Sequence, residues 1–302
     1  MNRKIVFLDI DGTLAVENHV PSSAKRACRK ARLNGHLLYI CTGRARLQVS
    51  PAIVRIGFDG IVSSGGAYIE TCQNADGAFG PSTADGLPAP ELSKNGWKLL
   101  FSAAVEPEKL RALLDYLNGR KAAYMLERED RLIAGPYLKS YFAEYYAGRH
   151  LTFRYLLERI FIRRIFKECE WDDGNLALGG VRKVAFWDSG SVSFEDAARE
   201  FGETFELFRL SIPVSGMTGG EIGPRGVNKG TALEKVAAYH GFALADTIAF
   251  GDSDNDSTMI RRAGLGVAMG NAVDSLKKAA GDVTDSIEND GLAKAFNKYG
   301  LI

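Results

Sequence analysis

The chain has 302 residues, is 46% apolar and 25% charged, and carries 38 basic against 37 acidic side chains for a formal net charge of +1. The length allows about two domains and the apolar share is enough for a full core, while the balanced charge argues against a protein that coats nucleic acid or an acidic membrane. Cys28, Cys41, Cys72 and Cys169 form no CxxC pair, so a disulfide framework or zinc ribbon is not expected and the thiols read as reduced.

The opening MNRKIVFLDID has an apolar run that ends at Leu8, too short for a signal-peptide core. No stretch approaches the roughly 20 apolar residues needed to cross a bilayer; the greasy segment 155–166 is interrupted by Glu158, Arg159, Arg163 and Arg164. A cytoplasmic protein with no membrane partner is expected. In chain order, KIVFLDI reads as a buried strand, 22–33 as a helix, LLYIC as a second strand, 45–55 as a helix and GIVSS as a third strand. A Gly-, Pro-, Ser- and Ala-rich loop covers 77–90. The middle then holds strand-like WKLLFSA, a helix over 107–118, strand-like AAYML, a mostly helical stretch over 137–167, strand RKVAFW, helix SFEDAAREF and strand FELFRLS. The βα rhythm resumes with a helix over 229–240, a strand at 247–250, a helix at 255–262 and a strand at 264–268. A helix at 273–280, a short strand at 282–284 and a helix from Gly291 close the chain. This predicts a doubly wound, Rossmann-like parallel-sheet core over 1–85 plus 212–302, interrupted by an inserted α+β cap over 86–211. Insertions of this kind often sit where parallel sheets bind ligands, at the carboxyl ends of their strands.

Four motifs fall at such strand ends. Asp9-Ile-Asp11-Gly12-Thr13 places two carboxylates at i and i+2 beside a tight turn, suited to a hard divalent cation with one oxygen left for chemistry. Gly251-Asp252-Ser253-Asp254-Asn255-Asp256 opens like a calcium loop, but positions six and twelve are Ser257 and Ala263, so an EF-hand is excluded and a magnesium-type acidic cluster is left. Thr42-Gly43-Arg44 offers a hydroxyl and free amides for phosphate. Lys229, at the start of a helix, works against the macrodipole, which neutralising a phosphate would explain. Each motif alone has a plainer reading, as an Asp-Gly turn, a helix cap or a solvated lysine. Together, at one side of one sheet, they point to a phosphate site.

The set resembles the haloacid dehalogenase superfamily of aspartate-nucleophile phosphotransferases. Ser64-Gly65-Gly66-Ala67-Tyr68, Gly226-Val227-Asn228-Lys229-Gly230, Ala268-Met269-Gly270-Asn271-Ala272 and Glu288-Asn289-Asp290-Gly291 are similar to its Cof-type branch, whose type C2B cap lies where the insert lies here. The resemblance implies that Asp9 attacks phosphorus and that Asp11 protonates the leaving alcohol and then activates water. It implies Mg2+ on Asp9, the Asp11 carbonyl and Asp252. It also implies phosphate contacts from Asp11, Gly12, Thr42, Gly43, Lys229 and Asn255, with Asp256 and Arg44 in support. Asp11, an acid absent from the dehalogenases, points to phosphate esters. Cof-type members usually read Asn-Gly-Ala where this chain has Gly65-Gly66-Ala67, so an Asn contact near the phosphate is expected to be absent.

The expected substrate is a small phosphorylated metabolite, a sugar phosphate or a nucleotide- or cofactor-like phosphate. A phosphomutase and a non-catalytic phosphometabolite-binding module stay open, as does the choice of monomer or dimer. Residues 137–171 hold ten aromatics, among them Tyr141, Phe142, Tyr145, Tyr146 and Trp171, interleaved with Arg149, Arg154, Arg159, Arg163 and Arg164. An amphipathic cap helix with a solvated basic face accounts for them better than base stacking. The histidines show no metal-ligand spacing.

Overall fold

The computed structural model describes residues 3–16, 18–72, 79–82, 88–90, 96–147, 163, 166–167, 169–171, 178–210 and 217–302. The first strand, β1 (Ile5–Leu8), is buried along its length, as a strand covered on both faces must be. Helix α1 (Ser22–Leu33) buries Ala24, Ala27, Cys28 and Ala31, the i, i+3, i+4, i+7 face of a helix laid on a sheet, and leads to β2 (Leu37–Cys41), parallel to β1. The helix expected over 45–55 does not form as one piece. A 3-10 turn at Arg46–Gln48 is followed by the short α2 (Pro51–Val54), because Pro51 has no N–H to donate and pushes Ser50 out of the helical region. Strand β3 (Gly60–Ser63) completes the parallel run.

Beyond it the sheet continues in the opposite sense. Strand β4 (Tyr68–Cys72) is antiparallel to β3. Strands β5 (Phe79–Ser82) and β6 (Pro88–Pro90) pair with one another in the loop region. Strand β7 (Trp97–Ser102) then pairs with β4, with a register shift at Ile69/Glu70. Read from sequence, WKLLFSA belongs to the insert. It is instead an edge strand of the core sheet, because Trp97, Leu100 and Phe101 pack on the core clusters.

By internal contacts the chain divides into Met1–Ser102 with Val227–Ile302, and Ala103–Gly226. The second unit is an α+β fold. It comprises α3 (Pro107–Gly119), β8 (Ala123–Glu127), β9 (Leu132–Ala134), α4 (Leu138–Tyr146), β10 (Cys169–Trp171), β11 (Lys183–Trp187), α5 (Phe194–Phe201), β12 (Phe205–Arg209) and β13 (Gly219–Pro224). Its sheet order is β10-β9-β8-β11-β13-β12, over a core of Leu110, Leu113, Leu117, Tyr124, Val184, Phe186 and Ile222. Strand β13 lies on the core side of the seam expected from sequence. Its GGEIGP carries no apolar alternation, and its pairing is set by neighbours: a side chain at Gly220 would collide with Phe186. Of the aromatic stretch, Tyr141, Phe142, Tyr145 and Tyr146 lie on α4, and Phe142 meets Trp187 edge-on at 5.5 Å. Trp171 is on β10, and Arg163 is exposed. Arg149, Arg154, Arg159 and Arg164 lie outside the described residues.

The returning chain supplies the other half of the core. Helix α6 (Lys229–Tyr239) precedes β14 (Thr247–Gly251), a 3-10 turn at Asp254–Asp256 and α7 (Ser257–Arg262). Strand β15 (Leu265–Ala268), α8 (Asp274–Ala279), β16 (Asp282–Val283) and α9 (Gly291–Lys298) follow. The sheet order is β16-β15-β14-β1-β2-β3-β4-β7. One face packs on α1, α2 and α9 through Leu8, Leu38, Ile53 and Phe296, the other on α6, α7 and α8 through Phe7, Leu233, Met259 and Leu276. The core is thus doubly wound. Strand β1 is flanked by β2 on one side and β14 on the other, so strand order reverses there, and a crevice at the strand ends is where such sheets bind ligands. Among the described residues no helix is long and apolar enough to cross a membrane.

Candidate active site

Asp9 follows β1 directly, and its N–H donates to the Phe250 carbonyl at 3.1 Å, which carries the β1/β14 pairing one residue past the strand. The turn behind it depends on Gly12, which has φ +81, and a Cβ there would run into the Asp252 carboxylate. The close approach of the two acidic loops therefore requires glycine. Thr13 donates its hydroxyl to Asp252 Oδ1 at 2.7 Å. Asn271 donates Nδ2–H to the Gly12 carbonyl at 2.8 Å and accepts the Ile287 N–H on Oδ1 at 3.0 Å. Sequence reasoning gave Thr13 and Asn271 no role. Their signal was present, as part of the Asp-Gly-Thr and Met-Gly-Asn phrases, but their partners are remote in sequence.

Lys229 is the hub. It stands first in α6, whose N-cap Asn228 accepts the Thr231 N–H at 3.0 Å in a capping box. Its fully buried Nζ donates to Asp9 Oδ1 at 2.7 Å, Asp256 Oδ1 at 2.6 Å and Asn255 Oδ1 at 3.1 Å. These three acceptors use all three ammonium donors, and they account for a lysine placed against the helix dipole. Asp256, with no exposed surface, accepts on Oδ2 the N–H groups of Asp252 and Ser253, both at 3.0 Å, and the Ser253 hydroxyl at 3.3 Å. Both its oxygens are thereby committed within the protein.

Thr42, 1% exposed, lies past the end of β2, beside β1 in the sheet. Its hydroxyl accepts the Arg44 N–H at 3.1 Å, in a local turn rather than at a helix start, since the next α-helix begins at Pro51. Asp11 stands apart from the other acids. Arg44 grips its carboxylate with two hydrogen bonds, Nε to Oδ2 at 2.8 Å and an Nη to Oδ1 at 2.6 Å. Asp9, Asp252 and Asp256 each bring a carboxylate oxygen within 4.8 Å of the others, and Asp11 is not in that cluster.

The electrostatics follow from this crowding. Burial holds the Asp9 carboxyl well above the usual carboxylate range; Lys229 opposes the rise, while Asp256, Asp252 and Asp11 add to it. Asp252 is pushed up to about 7, chiefly by burial and then by Asp256, against the Thr13 hydrogen bond and Lys229. Burial alone would depress the Lys229 ammonium, but Asp256 and Asp9 outweigh it and hold it above its usual range. Three carboxylates against one ammonium leave an excess of two negative charges when all are ionised, which a divalent cation would cancel. With Asp256 saturated, Asp9 and Asp252 supply the side chains able to ligate one, and hard oxygen donors suit magnesium.

A family model described as haloacid dehalogenase-like hydrolase matches residues 6–77 and 91–296. The chain belongs to the haloacid dehalogenase-like hydrolases. Its relatives include a Bacillus subtilis 5-amino-6-(5-phospho-D-ribitylamino)uracil phosphatase, YwtE, 27% identical over 96% of each chain. The HMP-PP phosphatase of Yersinia pseudotuberculosis is 29% identical, over 91% of this chain and 86% of its own. Among solved structures, the subclass IIB sugar phosphatase BT4131 covers 99% of this chain and all of its own at a TM-score of 0.68 and 22% identity, which speaks to the shared fold. This hydrolase pairs a doubly wound core with an α+β insert.

Proposed function

We propose that this hydrolase is a magnesium-dependent phosphatase of small phosphorylated metabolites that works through an aspartyl-phosphate. The observation that carries the reading is the grip of Lys229 on Asp9: a buried carboxylate, raised by its surroundings, is paired with a fixed cation at a strand end. Such a carboxylate can attack an anionic phosphate only where positive charge offsets the repulsion, and Lys229 supplies one such charge. Magnesium, held by Asp9, Asp252 and the main-chain carbonyl of Asp11, would supply the rest as a Lewis acid toward the phosphoryl oxygens. Asp9 Oδ forms a bond to phosphorus as the ester P–O bond breaks, and Asp11 gives its proton to the departing alkoxide. Asp11, now ionised, takes a proton from water as the water oxygen bonds to phosphorus and the Asp9–phosphorus bond breaks. Thr42, Gly43 and Asn255 hold the phosphoryl oxygens beside the turn at Gly12, whose own N–H goes to the Ala15 carbonyl; Lys229 faces the phosphoryl group with its charge, and Asp256 keeps Lys229 in place.

The relatives' substrates, a ribityl-pyrimidine phosphate and HMP-PP, together with the sugar-phosphatase neighbour, support a sugar phosphate or a nucleotide- or cofactor-like phosphate. The four cysteines are free thiols, three of them buried, which supports a cytoplasmic setting. The test is phosphate release from a panel of such esters, with and without magnesium, by wild type and Asp9→Asn. Metal-dependent turnover lost in Asp9→Asn is the expected result, and equal turnover in the two proteins would remove Asp9 as nucleophile. Isomerised product without free phosphate would instead identify a mutase.

A further inference from the structure

We propose that Arg44 is the positioning residue for Asp11, fixing the plane and direction of its carboxyl for the acid–base steps; this rests on the functional reading above. The guanidinium is almost fully committed. Its Nε and one Nη hold the two oxygens of Asp11 at 2.8 and 2.6 Å. The other Nη donates to Asn18 Oδ1 at 2.5 Å and to the Gln48 carbonyl at 3.5 Å. Asn18 sits with φ +68 in the small hairpin closed by Val16 and His19, whose main chains bond at 3.0 and 2.7 Å. The Arg44 backbone is itself tied down, its N–H to the Thr42 hydroxyl at 3.1 Å and its carbonyl to the Ser64 N–H at 2.7 Å.

Arg44 therefore connects the nucleophile loop, the hairpin and the turn after β2 through one planar fork. A two-point fork fixes the orientation of a carboxylate as a point charge cannot. With its donors engaged in this way, Arg44 acts on the reaction through Asp11 rather than as a phosphate ligand. The pair is part-exposed, with side-chain exposures of 17% for Arg44 and 33% for Asp11, so a contact can be exchanged. A carboxyl that carries the acid proton gives up one of its two contacts and keeps the other. That proton passes to the ester oxygen as the electron pair of the breaking P–O bond goes to that oxygen. One arm of Arg44 thus holds Asp11 on line through the transfer. A misplacement of about 1 Å in such a group costs about 100-fold in rate.

The experiment compares kcat/KM for phenyl phosphate, whose leaving group needs a proton, with p-nitrophenyl phosphate, whose leaving group does not. Because kcat/KM reports only steps up to alcohol release, the later base role of Asp11 does not enter. Asp11→Asn sets the benchmark of a loss concentrated on phenyl phosphate. Arg44→Gln is expected to lose about 10- to 100-fold on phenyl phosphate and far less on p-nitrophenyl phosphate. Arg44→Lys, which keeps the charge but not the fork, recovers only a small part of that loss, and it carries the test by its own selective loss if Arg44→Gln does not fold. A parallel loss on both esters in the Arg44 variants, or wild-type activity of Arg44→Lys on phenyl phosphate, overturns the positioning role while leaving Asp11 as acid. No selective loss in Asp11→Asn overturns the acid–base reading and the positioning role with it.

Discussion

Removing the ammonium of Lys229 tests the electrostatic account of the site most directly. Lys229→Met keeps most of the buried volume but leaves the Asp9 and Asp256 carboxylates, both buried, without their shared cation. Breaking a buried ion pair from one side costs about 3–5 kcal/mol, because the remaining charge is uncompensated. With about 2.1 cal/mol/K of unfolding entropy per residue, cooperative unfolding of all 302 residues converts that cost to a fall of about 5–8 °C in Tm. The loss depends on pH, and its sign follows from Asp9. A carboxyl whose folded-state pKa lies above the unfolded value of 3.8 binds protons more tightly in the folded protein, so folding loses stability as pH rises through that interval. Without Lys229 the charge that pulls Asp9 down is gone, and the interval widens. Thermal melts without metal at pH 8 and pH 5.5 should therefore show the larger deficit at pH 8. Adding Asp9→Asn to Lys229→Met should recover part of it, since a neutral amide replaces a stranded charge. A deficit under about 1 °C at pH 8, or one that grows toward acid, would refute the argument that Lys229 is held by charge.

Two further outcomes follow from the acidic cluster. Because Asp252 stands at about 7 with no cation bound, magnesium must displace a proton below that pH. Affinity measured by calorimetry should tighten as pH rises through about 7 and level off above it, with proton release visible in buffers of different ionisation enthalpy; an affinity flat from pH 6 to 8 would count against Asp252 as a ligand. Gly12→Ala should cost about 1–3 kcal/mol of backbone strain and, by pushing Asp252 aside, weaken magnesium binding and turnover. Gly35→Ala, at φ +89 with no atom within 4 Å of the added Cβ, carries the strain without the collision and should leave turnover unchanged. Equal effects of the two substitutions on turnover would show that the Gly12–Asp252 approach does not matter.

Much of the core could be read from the sequence because burial on both faces writes itself as unbroken apolar runs. KIVFL, LLYIC and TIAF are strands, and each is buried throughout its observed span. What could not be read has no local signal. Strands β4 and β7 extend the sheet antiparallel through pairings set by tertiary contact. Strand β13 carries Gly220, which admits the ring of Phe186. The 45–55 segment has helical composition, and a single proline outweighs it. The seams of the insert lie elsewhere than the expected 86 and 211, at Ala103 and Gly226, because the sequence places WKLLFSA with the insert and GGEIGP, given no element, within the returning core.

The site divides along the same line. Lys229 could be picked out because a cation at a helix N-terminus conflicts with local preference, and Asp9, Asp252 and Asp256 because their motifs, each alone readable as a turn or a cap, fall together at strand ends. A lysine at a helix N-terminus and acids at buried strand ends are unfavourable unless they meet, and the structure brings Lys229 to Asp9 and Asp256 at 2.7 and 2.6 Å. Arg44 and Asn271 violate no local rule, so nothing in the sequence singles out what they hold. Their partners are 33 and 259 residues away and become visible only when β1, β2 and β14 lie side by side. The charged groups were thus readable through the cost of placing Lys229 and the grouping of the acidic motifs at strand ends. The groups that orient them carry no such cost, which is why their contribution has to be measured by substitutions that keep charge and change geometry, as Arg44→Lys does.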